Sequence, residues 1–91
     1  MTKTAEILNI DEKRMASVLR AAAEKLSGAD DEVVLDLSSV RRVDSGTLRS
    51  LQEFAHIAEQ KAVKVVLRSV TVDVYKVLKL VKLTGQFSFE N

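Results

Sequence analysis

The sequence predicts an α/β layer fold, with strands and helices alternating as β-α-β-α-β-α-β around an open, mostly parallel, four-stranded sheet. Three observations predict it. Two short runs, Val33-Val34-Leu35-Asp36-Leu37 and Val63-Lys64-Val65-Val66-Leu67, are dominated by β-branched and leucine residues and read as buried strands. Segments before, between and after these runs repeat their apolar residues at helical spacing. The unit spanning residues 33–67 is long enough for the right-handed crossover that joins parallel strands.

Each element follows in order. Residues 4–10 form a first strand. Asn9 and Glu12 have the spacing of a capping box, with Asp11 as a competing cap, for a helix reaching about Leu26. Its inner face carries Met15, Val18, Leu19, Ala22 and Leu26. Gly28 is the expected left-handed residue of the turn that follows. The apolar run at 33–37 suggests a strand covered on both faces. A second helix starts at Asp44 or Ser45 and runs to about Lys61, with Thr47, Leu48, Leu51, Phe54, Ala55 and Ala58 facing inward. After the strand at 63–67, Thr71 caps a third helix over about 72–83, with Val74, Val77, Leu78 and Val81 inward. Gly85 breaks it, and residues 86–90 form a last strand. Tyr75, Phe87 and Phe89 read as core.

Length and composition bound the function. A chain of 91 residues forms one domain, residues 1–91, and buries roughly 60–65% of its unfolded surface. Fourteen Lys and Arg against thirteen Asp and Glu leave a net charge of +1, so no bulk field draws the chain to nucleic acid or to a membrane. The sequence has no cysteine, which excludes disulfides, thiol chemistry and cysteine metal sites. Its start lacks a signal peptide's apolar region, and no run is long enough to insert in a membrane. The expected location is the cytoplasm.

The strand at 33–37 leads through Ser38-Ser39-Val40-Arg41-Arg42-Val43 to Asp44-Ser45-Gly46-Thr47 and so into the second helix. This junction sets a carboxylate and a hydroxyl where the first N–H groups of a helix lack partners. Val33-Val34-Leu35-Asp36-Leu37-Ser38-Ser39-Val40 resembles the strand and "D-L-S-x-V" turn of the STAS domain family, the fold of bacterial anti-sigma factor antagonists. Arg42-Val43-Asp44-Ser45-Gly46-Thr47-Leu48 sits where that family has "M-D-S-[ST]-G-L-G". Val77-Leu78-Lys79-Leu80-Val81-Lys82-Leu83 resembles the helix before its last core strand.

The resemblance implies a protein-interaction module. In the antagonists a kinase that is also an anti-sigma factor phosphorylates the Ser after the Asp, here Ser45 after Asp44. The unmodified form binds that kinase and frees the sigma factor. Partner contact is then expected at Asp44, Ser45, Gly46, Thr47, Arg49 and Arg42. Departures point to a second branch. Gly46 takes the second hydroxyl position, Thr47 replaces the Gly, and Arg49 replaces a small residue. Of the family's N-terminal strand pair only residues 4–10 are expected, with Asp11 as a remnant of its corner, and no counterpart of its C-terminal helix is expected. The small STAS subunit that binds the ATPase of bacterial phospholipid-transporting ABC systems carries "R-V-D-[ST]-G-G-L" and "V-Y-x-x-x-K-L". These are close to residues 42–48 and to Val74-Tyr75-Lys76-Val77-Leu78-Lys79-Leu80.

Each residue also has a plainer role. Ser45 reads equally as a helix cap needing no partner. Arg41, Arg42 and Arg49 read as a solvated rim or as phosphate partners. Asp44 and Ser45 do not make a catalytic pair: no base lies near the hydroxyl, and His56 stands three turns along the same helix. No cofactor motif or metal set is apparent, so no catalysis is expected, and a small hydrolase-like enzyme using Asp44 and Ser45 ranks last. Lys76, Lys79 and Lys82 read as a solvated face. A short N-terminal region would leave a sheet edge open, so a homodimer through that edge is expected.

Overall fold

In the computed structural model, residues 4–26 and 31–90 are described. The elements are β1 (Thr4–Asn9), α1 (Met15–Lys25), β2 (Glu32–Asp36), α2 (Ser45–Gln60), β3 (Lys64–Arg68), α3 (Val72–Leu80), a single 3-10 turn (Thr84–Gln86) and β4 (Ser88–Glu90). The four strands form one sheet in the order β1-β2-β3-β4. Every neighbouring pair is parallel. The β-α-β-α-β-α-β order and the parallel sheet are those the sequence predicts.

Each crossover joins adjacent strands and moves the same way across the sheet. Right-handed crossovers then place all three helices on one face. One core cluster accordingly unites Val33, Leu35, Leu37, Val65 and Leu67 of the strands and their ends with Leu19, Leu51, Phe54, Val74 and Leu78 of the helices. The helices cover one face of β2, and Val33, Val34 and Leu35 are all buried, so the strand is covered on both faces as expected. Val34 and Val66, 3% and 5% exposed, lie outside that cluster. Ile7, the register partner of Val34, is 56% exposed. Alternation along a strand explains the difference: residues 33, 35 and 37 face the helices, and residue 34 faces away.

The helix ends show where local chemistry wins. Before α1, Asp11 Oδ1 accepts the N–H of Lys13 at 2.9 Å, and its carbonyl accepts that of Arg14 at 3.0 Å. This turn delays the regular helix to Met15, and the Asn9–Glu12 capping box does not form. Lys61, at the end of α2, donates its amine to the carbonyls of Ala23 (3.2 Å) and Leu26 (2.9 Å), so it closes the end of α1. Gly28, the expected turn residue, lies outside the described residues.

Two helices end in the same hydrogen-bonded motif without glycine. After α2, Val63 N–H reaches Ala58 O at 2.8 Å and Ala62 N–H reaches Glu59 O at 3.1 Å, with Ala62 at φ 58°. After α3, Leu83 N–H reaches Leu78 O at 2.9 Å and Lys82 N–H reaches Lys79 O at 3.1 Å, with Lys82 at φ 62°. The third helix therefore stops at Leu80, well before Gly85, and Gly85 sits in the 3-10 turn. Val81 points outward instead of inward. Tyr75 and Phe89 also leave the core: their rings meet edge to face at 5.2 Å on the β4 rim, while Phe87 is buried. The rim placement follows from β4 being an edge strand, with a strand neighbour on one side only.

Candidate functional site

The candidate site lies at the carboxyl end of the sheet, where parallel α/β folds commonly place function. Four residues share one register across that end: Asn9, Asp36, Arg68 and Glu90. Arg68 Nη2 pairs with Glu90 Oε1 at 3.1 Å. Asp36 Oδ1 accepts Ser38 N–H at 2.9 Å, which turns the chain out of β2. That hydrogen bond is the main reason the Asp36 carboxyl titrates below its ordinary range, with the Arg68 charge assisting.

From Ser38 the chain is pinned twice to the core. Leu37 and Val40 are fully buried, and Val40 N–H closes onto Leu37 O at 2.9 Å. The next two N–H groups, of Arg41 and Arg42, both donate to Glu12 Oε1, the latter at 3.0 Å. Val43 packs half-buried against the core. Asp44 then has extended backbone, φ −102° and ψ −179°, and caps α2. Its Oδ1 accepts Thr47 N–H at 2.8 Å, and its carbonyl accepts Leu48 N–H at 2.9 Å. The Thr47 N–H is the main cause holding the Asp44 carboxyl below its ordinary range.

The cap is therefore Asp44, and the capping reading of Ser45 is corrected. Ser45 is the first residue inside α2 and is exposed. Among the described residues, no group hydrogen-bonds its hydroxyl. Gly46 is exposed beside it, and a Cβ there would meet Asp44 Oδ1 at 3.5 Å, an ordinary contact. Its carbonyl accepts the Ser50 hydroxyl at 3.1 Å. Thr47 is half-buried, and Arg49 is exposed on the next turn. Arg41 and Arg42 are exposed and line a shallow groove against Asp73, Val74 and Val77 of α3.

The structure thus brings Asp44, Ser45, Gly46 and Thr47 into a single helical turn, with Arg42 before it and Arg49 after it. His56 is exposed on α2, eleven residues from Ser45, or roughly 16 Å along the axis. Among the described residues, no group of three or more His, Asp or Glu is arranged to hold a metal ion. No helix among them is long and apolar enough to cross a membrane. Glu12 is the site residue that sequence reasoning missed. Its spacing from Asn9 fits a local capping box, and nothing local signals a contact 29 residues away.

Comparison with known proteins adds a family and a fold. The model of the family described as Mlab, STAS domain, matches residues 9–88. The crystal structure of a candidate anti-sigma factor antagonist from Thermotoga maritima superposes with a TM-score of 0.71 at 19% identity. The match covers 94% of this chain and 73% of that one, and at this identity it establishes the shared fold. No curated protein matches the chain significantly.

Proposed function

Because the chain belongs to the STAS domain family, we propose that it is a non-catalytic docking module that binds an ATP-binding protein through the first turn of α2 and is switched by phosphorylation of Ser45. One observation carries this reading. Asp44 takes over the capping of α2, which leaves the Ser45 hydroxyl exposed and unengaged at the helix start. A serine used as a cap would have to give up that hydrogen bond to be modified. This one gives up nothing.

The switch follows from charge. In the unmodified state the turn of Asp44, Ser45, Gly46 and Thr47 carries only short side chains, with none at Gly46 to hold a partner away. The partner kinase transfers the γ-phosphoryl group of ATP to Ser45 Oγ, a base of the kinase takes the hydroxyl proton, and ADP leaves. The phosphate adds about −1.5 to −2 charges at pH 7. The N-terminus of α2 accommodates that charge within the free protein. A desolvated partner surface beside Asp44 does not, so the modified form dissociates. Arg42 and Arg49 flank the turn and are placed to meet acids of the partner. In this reading the partner is an anti-sigma factor kinase, and the protein acts in the cytoplasm.

The Mlab description of the matching family favours a second reading. There the same corner docks on the ATPase of a phospholipid-transporting ABC system, and no phosphate is transferred. Intact-mass measurement separates the two. The protein is incubated with ATP and, in separate arms, an anti-sigma factor kinase or the ATPase of a phospholipid-transporting ABC system. The first reading predicts one added phosphate, lost in Ser45→Ala. A stable complex with no added mass supports the second. A phosphate that persists in Ser45→Ala refutes the switch.

A further inference from the structure

Arg41 and Arg42 present two consecutive backbone N–H groups in a loop with no strand or helix partner for them. Exposed N–H groups of this kind take either water or a protein acceptor. Here one atom serves both: Glu12 Oε1, carried by the loop between β1 and α1. Residues 41–42 are thereby held from outside their own loop, immediately before Val43 and the cap Asp44.

Glu12 stands on a firm base. Its own turn is closed by Asp11, through Lys13 N–H and Arg14 N–H. The turn runs directly into α1, whose first residue, Met15, is 1% exposed in the shared core. At the other end of the contact, Val40 is fully buried. The carboxylate therefore connects two anchored points through the one stretch between them that the core does not fix. The two N–H donors are also the main reason Glu12 titrates below its ordinary range; Asp11 opposes this and the Arg41 side chain assists.

We propose that Glu12 is a positioning residue for the docking corner: by holding the Arg41 and Arg42 N–H groups, it sets where the turn of Asp44, Ser45, Gly46 and Thr47 stands relative to α1. This rests on the reading that the corner docks a partner. Its consequence is that the docking surface is built by two loops, one from each of two neighbouring strands, with Glu12 tying the loop before α1 to the loop before α2.

Amide exchange and chemical shifts of the 15N-labelled full chain test it without a partner. In Glu12→Ala, exchange at Arg41 and Arg42 quickens by roughly tenfold or more, the scale of losing hydrogen bonds to a charged group. The amide resonances of Ser45, Gly46 and Thr47 also shift, while those of residues 33–37 stay in place. Glu12→Gln, whose amide oxygen still accepts both N–H groups, retains the native pattern. Changes confined to Arg41 and Arg42 overturn the proposal, since Glu12 would then serve only its local backbone. Binding to whichever of the two ATP-binding proteins forms a complex gives a second readout. Weakened binding in Glu12→Ala, restored in Glu12→Gln, supports positioning. Loss of binding in Ser45→Glu but not in Glu12→Ala overturns positioning and leaves the docking reading standing. If neither affects binding, the docking reading falls, and the shifts at Ser45, Gly46 and Thr47 still decide the role of Glu12.

Discussion

Asp44 Oδ1 accepts the backbone N–H of Thr47 at 2.8 Å, and this one bond separates the residue that builds α2 from the residue available for chemistry. The two neighbours should answer differently to removal. Asp44→Ala lowers the melting midpoint by about 4–8 °C, the effect of losing a helix cap in a domain of this size. Asp44→Asn keeps most of the stability, because an amide oxygen still accepts the bond. Ser45→Ala changes stability by no more than about 0.5 kcal/mol, as expected for an exposed side chain without partners. Thermal melts of the three variants measure this.

Acid should loosen the same end of the molecule. Glu12, Asp36 and Asp44 all titrate below their ordinary values of 4.5, 3.8 and 3.8, because each accepts backbone N–H groups. A depressed native pKa means that the unfolded chain binds protons first as pH falls. The stability these carboxylates supply is therefore complete above about pH 5 and is lost as pH falls through their native values. A melting curve at each pH between 7 and 3 shows the decline. The double variant Glu12→Gln with Asp44→Asn shows a flatter profile.

Ala62 and Lys82 occupy left-handed backbone at φ 58° and 62°, each one residue past the cap of its helix. Glycine adopts this conformation without the Cβ clash that costs an L-residue about 1–2 kcal/mol. Ala62→Gly should stabilise the protein by about 0.5–1 kcal/mol after the added entropy of the unfolded chain is subtracted. Lys82→Gly should do the same. Urea denaturation midpoints report the change.

The sheet ends in β1 on one side and β4 on the other, and β4 is only three residues long. Strand edges attract further strands. We expect β1, the longer edge, to pair with its counterpart in a second copy. Light scattering at rising concentration should show a dimer, and introducing a charge by Ile7→Lys should weaken it. A monomer at every concentration removes this expectation.

Much of this was legible in the sequence, and the misses share a cause. The runs at 33–37 and 63–67 and the Thr71 cap depend on neighbours in sequence, and the structure places them where their patterns indicate. Thr71 Oγ1 accepts Val74 N–H at 3.3 Å. The choice between Asp44 and Ser45 could not be made from spacing, because both are good caps and adjacent. Tyr75 has helical spacing suited to the core, but its side faces an edge strand and meets Phe89 there. Glu12 and Lys61 act on backbone 29 to 38 residues away, and no local pattern encodes such a contact. Within the candidate site, the turn itself was legible and the side chain that holds it was not.

The central claim is that a protein partner docks on the first turn of α2. Titrating the 15N-labelled protein with an anti-sigma factor kinase and, separately, with the ATPase of a phospholipid-transporting ABC system tests this most directly. The account predicts that amide signals of residues 41–49 shift or broaden first, and that Ser45→Glu abolishes the effect. Perturbations confined to other surfaces, such as the rim of Tyr75 and Phe89, with residues 41–49 unchanged, would contradict it.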